Sequence, residues 1–179
     1  MDIKKLLGPR AIKRIALAYD DCEDQLHLIP EHKIHRFRRI VIDQFVYITK
    51  SAHPQIYFDF VDKDPYEYKL VEELMLDYQR GTLKINSSGN DSKLWGPVYN
   101  LMFRAVHDWI HCVKGYNFNY KDEVAAYKFQ VEFSEAAGGN VDWELYEKVL
   151  RSEIVYQAAY KTYFDEFHVP FQKIILADL

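Results

Sequence analysis

Residues 100–113, NLMFRAVHDWIHCV, form the stretch that decides the fold. If this stretch is helical, its polar side chains fall within about 100° of arc, and they are Asn100, Arg104, His107, Asp108 and His111. The other residues are apolar and cover the rest of the circumference, which predicts a buried helix. Buried histidine and arginine side chains are costly unless they are paired, hydrogen-bonded or bound to a metal.

The two histidines of this helix are four residues apart, so His107 and His111 leave the same face one turn apart. A helix offers two ligands to one transition-metal ion in this way. Two ordinary core or surface histidines are the simpler interpretation of an isolated pair. The metal hypothesis therefore depends on further ligands from other helices.

The next two predicted helices, 120–137 and 143–167, each carry a carboxylate on an inward face. Glu123 aligns within about 60° of arc with Tyr127, Gln130 and Ser134. On the second helix Glu153 and Gln157 lie among apolar residues. The residues expected to face solvent are Lys128, Glu132 and Glu135 on the first helix, and Glu144, Glu147, Lys148 and Arg151 on the second.

Three inward polar stripes on three successive helices predict one buried polar site. Its predicted metal ligands are His107, His111, Glu123 and Glu153, a donor set suited to a divalent ion, with zinc favoured and iron or manganese as alternatives. The predicted catalytic residues are Asp108, Glu123 and Gln157. The residues expected to orient the metal ligands by hydrogen bonding to them are Asn100, Arg104 and Tyr127. The competing interpretation is a metal-free network in which Arg104 pairs with Glu123 or Glu153.

The 179 residues are most simply one helical domain, 1–179, whose site-bearing half spans about 82–165. Helical spacing runs through residues 10–20, 31–50 and 65–78, and the mainly α bundle continues with the three helices described above. Short runs at 56–61 and 82–85 leave room for a two-stranded, hairpin-like β element. We expect Asn119 and Asp142 to cap the last two helices, and Gly115 to end the first of the three.

Charge and cysteine content narrow the class of protein. A net charge of −4 gives no basic footprint, so nucleic acid is not an expected partner. No apolar run is long enough for a membrane span, and the N-terminus does not read as a signal peptide. The two cysteines form no CxxC motif, which indicates a reducing compartment. We therefore expect a cytoplasmic protein.

Two resemblances extend this interpretation. The segment HDWIH, His107–His111, resembles the HExxH helix of zinc peptidases, with Asp108 in place of the glutamate. A closer resemblance is to uncharacterised proteins of phages, other viruses and mobile elements, which carry an FRAVHD-like stretch and later an SE-I-x-x-Q stretch. Here the matching residues are 103–108, His111, Gly115, Glu123, 152–154 and Gln157, within about residues 82–160. Ile110 stands where that group often has glycine.

The viral resemblance implies an all-helical domain built around this site, in the host cytoplasm, and it implies no activity. The leading hypothesis is a metal-dependent hydrolase, because a bound divalent ion lowers the pKa of water. The first alternative is a viral accessory or structural protein whose metal or polar network holds helices together. The second is a module that binds a nucleotide or peptide. The sequence leaves the substrate and the oligomeric state open.

Overall fold

The computed structural model describes residues 6–63, 65, 66, 71–166 and 172–179, and the mainly α fold is confirmed. The elements in chain order are α1 (Pro9–Asp21), a 3₁₀ turn (Leu26–Leu28), α2 (Glu31–Lys50), β1 (Tyr57–Val61), α3 (Val71–Gln79), β2 (Thr82–Asn86), α4 (Gly96–Lys114), α5 (Tyr120–Ala137), α6 (Trp143–Arg151), a π-helical segment (Ser152–Tyr156) and α7 (Gln157–Phe164). None of the helices described is both long and apolar enough to cross a membrane.

The expected helix boundaries around the site are confirmed. Gly115 ends α4 in the left-handed conformation at φ 65°, which glycine adopts without strain. The side chain of Asn119 accepts a hydrogen bond from the Asp122 backbone N–H at 3.1 Å and so caps α5. Asp142 caps α6 in the same way through Leu145, at 3.2 Å. The short connection between α4 and α5 keeps these two helices adjacent.

The small sheet is parallel, whereas a hairpin would be antiparallel. Tyr57 pairs with Thr82 and the register runs to Val61 with Asn86. Because α3 lies between the strands, the chain crosses over and enters β2 in the same direction as β1. Pro65 lies in a bend and does not start a helix, and residues 67–70 of the predicted helix lie outside the described residues.

Helix α4 lies between two hydrophobic clusters and contributes to both. Phe103 packs in the larger one with residues of α1, α2, α6 and α7. Val106 and Ile110 pack in the smaller one, with the sheet and the end of α2. All three side chains are at most 6% exposed. This double packing confirms that α4 is buried nearly all round, so its polar stripe has to be accommodated inside the protein.

The last predicted helix, 143–167, is not one continuous α-helix. It is interrupted by the π-helical segment Ser152–Tyr156, and its α-helical part ends at Phe164. Residues 149–156 are all buried, so this part of the chain has no solvent face. The C-terminal segment 172–179 covers it: Ser152 Oγ donates to the Lys173 carbonyl at 3.0 Å and accepts from the Ile175 N–H at 2.9 Å. Single π-helical turns occur frequently at functional sites.

Arg151 is buried, contrary to the expectation that it faces solvent. Only 4% of the residue is exposed. Its guanidinium donates to Glu147 Oε1 at 3.0 Å and to the Asp178 carboxylate. The helical wheel placed Arg151 outside because it could not show that the C-terminal segment folds back over this face and brings Asp178 to it.

Candidate metal centre

Three potential ligand atoms converge between α4 and α5, and they belong to His107, His111 and Glu123. His107 Nε2 lies 3.1 Å from His111 Nε2 and 3.1 Å from Glu123 Oε2. His111 Nε2 lies 3.7 Å from the same carboxylate oxygen. The His111 side chain is fully buried, and those of His107 and Glu123 are 16% and 11% exposed.

The other ring nitrogen of His111 fixes its tautomer. Nδ1 lies 3.3 Å from the backbone carbonyl oxygen of Tyr116, just after the end of α4. A carbonyl only accepts hydrogen bonds, so Nδ1 carries the hydrogen. In the neutral ring Nε2 then presents a lone pair to Glu123 and His107. Metal-bound histidines are oriented by the same kind of backbone contact.

Gln130, which follows Tyr127 on the inward face of α5, fixes the tautomer of His107. Its side-chain oxygen Oε1 lies 3.3 Å from His107 Nδ1. With this amide orientation Nδ1 is the donor and Nε2 again presents a lone pair. The ring is also held by stacking, since Phe103 lies parallel to it with 6.4 Å between ring centroids and stacks in turn on Trp95.

At these distances the two imidazole lone pairs and the carboxylate oxygen repel one another unless a positive charge lies among them. A proton on one ring supplies that charge in a metal-free network. In the metal-bound alternative a divalent ion supplies that positive charge. Bonds of about 2.1 Å to a tetrahedral zinc place two ligand atoms about 3.4 Å apart. The separations of 3.1, 3.1 and 3.7 Å bracket that value. The spacing of the three ligand atoms is therefore that of a group that could hold one metal ion.

Glu123 is held in its charged form. Burial by itself would raise the pKa of this carboxyl, but in the metal-free network with protonated rings the charge of His111 and the hydrogen bond from His107 outweigh burial and hold the pKa well below its usual range. Glu123 also lies in the first turn of α5, where the helix dipole favours a negative charge. A carboxylate is thus ready to bind a cation at neutral pH.

A cavity of 740 Å³ opens beside this group, and His107 and Glu123 lie in its wall. The three predicted inward stripes meet here, because α4, α5, the π-helical segment and α7 all contribute lining residues. The polar loop between β2 and α4 forms another part of the wall and carries exposed residues such as Lys93. The site is therefore in contact with a space large enough for a small molecule.

Most of the other predicted site residues also line the cavity. They are Asn100, Arg104, Asp108, Glu153 and Gln157. Asn100 donates to Asn90 Oδ1 at 2.8 Å, which ties α4 to the preceding loop. Arg104 holds that loop as well, donating to the carbonyl oxygens of Asn86, Ser88 and Gly89 at 2.7, 2.9 and 3.0 Å.

Glu153 and Tyr127 are placed differently from the other predicted residues. Glu153 is 8% exposed, so its inward position is confirmed, but its carboxylate is not one of the three converging ligands. Gln157 Nε2 donates to it at 3.4 Å, and the side chain of Trp95 is a second donor. Tyr127 donates to Glu147 Oε1 at 2.8 Å, within the network around Arg151, and is not among the lining residues described.

The Glu153 carboxyl lines the cavity, and its pKa is displaced upwards into the neutral range. Burial raises its pKa to about 7, and the charge of Asp24 acts in the same direction. The hydrogen bond from Gln157 and the charge of Arg104 oppose this shift without cancelling it. A carboxyl that titrates near neutral pH inside a cavity is typical of functional sites.

Two functional features were not found by sequence reasoning. Gln130 was placed on the correct stripe, but nothing in the sequence distinguishes a side chain that orients His107 from one that packs beside it. The Tyr116 carbonyl has no sequence signal at all, because backbone groups are not encoded by residue type. Its position follows from the left-handed turn at Gly115.

The chain matches no protein-family model, no curated protein and no solved structure. The resemblance to phage and viral proteins, and with it a viral or mobile-element origin, stays a prediction.

We predict that about one equivalent of a first-row divalent metal co-purifies with the untagged protein. Replacing one ligand leaves an incomplete donor set, so His107→Ala and His111→Ala should each lose most of the metal. The measurement is elemental analysis of protein prepared without chelator. His32→Ala, an exposed histidine on α2, is the matched control and should retain the metal. Well-folded wild-type protein free of metal after growth in metal-replete medium would contradict the assignment.

Gln130→Leu should weaken metal affinity about 10- to 100-fold, because His107 loses the acceptor that fixes its tautomer. Gln130→Glu keeps an acceptor at that place and should retain affinity within about threefold of wild type. Gln44→Leu is the control: Gln44 is equally buried and donates to Ser134 at 3.0 Å, so its loss affects stability but not the ligands. Competitive titration with a chromogenic chelator measures all four proteins. Equal losses in Gln44→Leu and Gln130→Leu would show that Gln130 is only structural.

The raised pKa of Glu153 predicts a pH dependence of stability. The unfolded carboxyl titrates near its ordinary value of 4.5 and the folded one at about 7, so the folded state binds the proton more tightly. Its stabilising contribution is complete below pH 4.5 and is lost as the pH rises through 7. Relative to Glu153→Gln, wild-type protein should therefore lose about 2–3 kcal/mol of unfolding free energy between pH 5 and pH 8.

Urea unfolding at the two pH values measures this difference, and the comparison with Glu153→Gln removes the contribution of the histidines. Glu144→Gln, on the exposed side of α6, should run parallel to wild type. If the unfolding free energy of Glu153→Gln also changes with pH in parallel with that of wild type, Glu153 is ionised throughout this range.

Proposed function

We propose that this protein is a metal-dependent hydrolase in which His107, His111 and Glu123 hold the ion. One observation carries the proposal: three protein ligands converge at the wall of a cavity. Catalytic zinc sites have three protein ligands and keep one position for water or substrate, whereas structural sites are closed by four. Two histidines and one carboxylate with open positions also suit iron(II), and zinc is the ion we favour.

The chemistry that the ion would supply is a bound water whose pKa falls to about 7, which makes it a nucleophile at neutral pH. The chain's own residues have to orient the ligands and move a proton. Asp108 follows His107 directly and lines the same cavity, so its carboxylate is our candidate general base. Glu123, held as a carboxylate, neutralises part of the charge of the ion.

The π-helical segment and α7 also contribute residues to the wall of the cavity. Gln157 lies there beside Glu153, and its amide can both donate and accept hydrogen bonds. We assign Gln157 to positioning the reacting group. The alternative of a purely structural metal site is less well supported, because the fourth predicted ligand, Glu153, lies outside the converging group.

The proposal requires an exchangeable coordination position, which cobalt(II) can report. Adding acetohydroxamic acid to cobalt-loaded protein should change its visible absorption spectrum, and the zinc-loaded protein should hydrolyse p-nitrophenyl acetate faster than chelator-stripped protein. Asp108→Asn should lower kcat about 10²- to 10⁴-fold, the usual contribution of a general base. Metal content should stay unchanged, since Asp108 is not a ligand.

Asp62→Asn, an exposed aspartate after β1, is the control and should leave the rate unchanged. A cobalt spectrum indifferent to acetohydroxamic acid, together with equal rates for loaded and stripped protein, would overturn the hydrolase proposal in favour of a closed, structural site.

A further inference from the structure

Glu153 is a buried carboxyl with little to balance it. The residue is 92% buried and lines the cavity, and the donors that act on its carboxyl are Gln157 Nε2, at 3.4 Å, and the side chain of Trp95. Arg104, the cation that most affects it, donates its hydrogen bonds at 2.7–3.0 Å to three loop carbonyls. A buried carboxylate is costly unless a cation or several donors satisfy it.

The fixed charges around the cavity point to the ligand that would satisfy it. The described lining contains five carboxylates: Asp24, Asp91, Asp108, Glu123 and Glu153. It contains three permanently cationic side chains: Lys93, Arg104 and Lys161. Arg104 is held by the loop carbonyls and keeps its charge, and Lys93 is exposed. Away from the ion and its ligand Glu123, four carboxylates still face three cations, so this part of the wall suits an ammonium group better than an anion.

We infer that the cavity binds an amine-bearing carbonyl compound, an amino ester or amino amide, whose ammonium group is received by Glu153 and Gln157. This inference rests on the proposed function for the carbonyl end of the ligand, and on the cavity itself for the amine end. An ammonium group presents three donors. The Glu153 carboxylate accepts one or two of them, and the amide oxygen of Gln157 is a further acceptor one turn away on the same wall.

The behaviour of the carboxyl supports this assignment independently. Burial raises the pKa of Glu153 to about 7, and the Gln157 and Trp95 hydrogen bonds and the charge of Arg104 offset it only in part, so the buried carboxylate gains from a further cation in the cavity. A bound ammonium would replace the lost hydration of the carboxylate with a charge-assisted hydrogen bond. A neutral ligand end would leave the carboxylate as it is.

The test uses the zinc-loaded full-length protein and three matched sets of hydroxamic acids. Each probe chelates the metal through the same group, and its distal end is an amine, a methyl group or a carboxylate: β-alanine and 4-aminobutyric hydroxamic acids, butyric and valeric hydroxamic acids, and succinic monohydroxamic acid. Calorimetric titration at pH 8 should show at least one amine probe binding about tenfold more tightly than its methyl analogue. The carboxylate probe should bind more weakly than both.

Glu153→Gln is nearly isosteric and removes only the charge. In this variant the amine probes should bind no more tightly than their methyl analogues, while the methyl probes should keep their wild-type affinity. Asp91→Asn is the matched control, since it removes an exposed carboxylate from the same lining and should preserve the preference. If both variants lose the preference equally, general charge and not Glu153 recognises the amine, and the inference is overturned.

A metal-independent measurement separates this inference from the proposed function. The ¹³C shift of the Glu153 carboxyl in chelator-stripped protein should respond to n-butylamine and not to n-butanol. If that response appears while no hydroxamic acid binds, the amine site stands and the open metal position does not. If all hydroxamic acids bind equally and n-butylamine has no effect, the amine site is wrong and the metal site stands. Failure of both series overturns both.

Discussion

The structure depends on three electron-pair donors that lie close together in the interior between α4 and α5. His107 Nε2, His111 Nε2 and Glu123 Oε2 lie 3.1–3.7 Å apart with their lone pairs facing one another. Such an arrangement is stable only with a positive charge among the three atoms. Gln130 and the Tyr116 carbonyl act as acceptors at the far ring nitrogens, so both near nitrogens are directed at the space they share with Glu123, where a proton or the proposed metal ion supplies the positive charge.

The rest of the fold holds this geometry in place. Apolar residues of α4 pack into one core on one side and a second core on the other, so the helix cannot rotate its polar stripe towards solvent. The turn at Gly115 and the cap at Asn119 set the position of Glu123 in the first turn of α5. Arg104 braces the loop between β2 and α4, which gives the cavity its outer wall. The π-helical segment contributes Glu153 and Ile154 to the same cavity.

The sequence was sufficient for the parts of the site that depend on helical periodicity. The shared face of His107 and His111 and the inward position of Glu123 follow from 100° per residue, and the glycine and capping residues mark the helix ends. The parallel pairing of the strands was missed, because residue type does not reveal whether a connection crosses over. The burial of Arg151 was missed because it depends on a distant segment folding back. The inward direction of Glu153 follows from the helical wheel, but a wheel does not give depth and could not show that Glu153 lies outside the group of three converging ligands.

The most direct test of the central claim is an anomalous-diffraction map from crystals of the zinc-loaded protein, recorded on both sides of the zinc absorption edge. Our account predicts a peak about 2.1 Å from His107 Nε2, His111 Nε2 and Glu123 Oε2, with any further coordination on the cavity side. A map with no zinc peak between α4 and α5, and with His107 Nε2 and Glu123 in direct hydrogen-bond contact, would contradict it and establish the metal-free network.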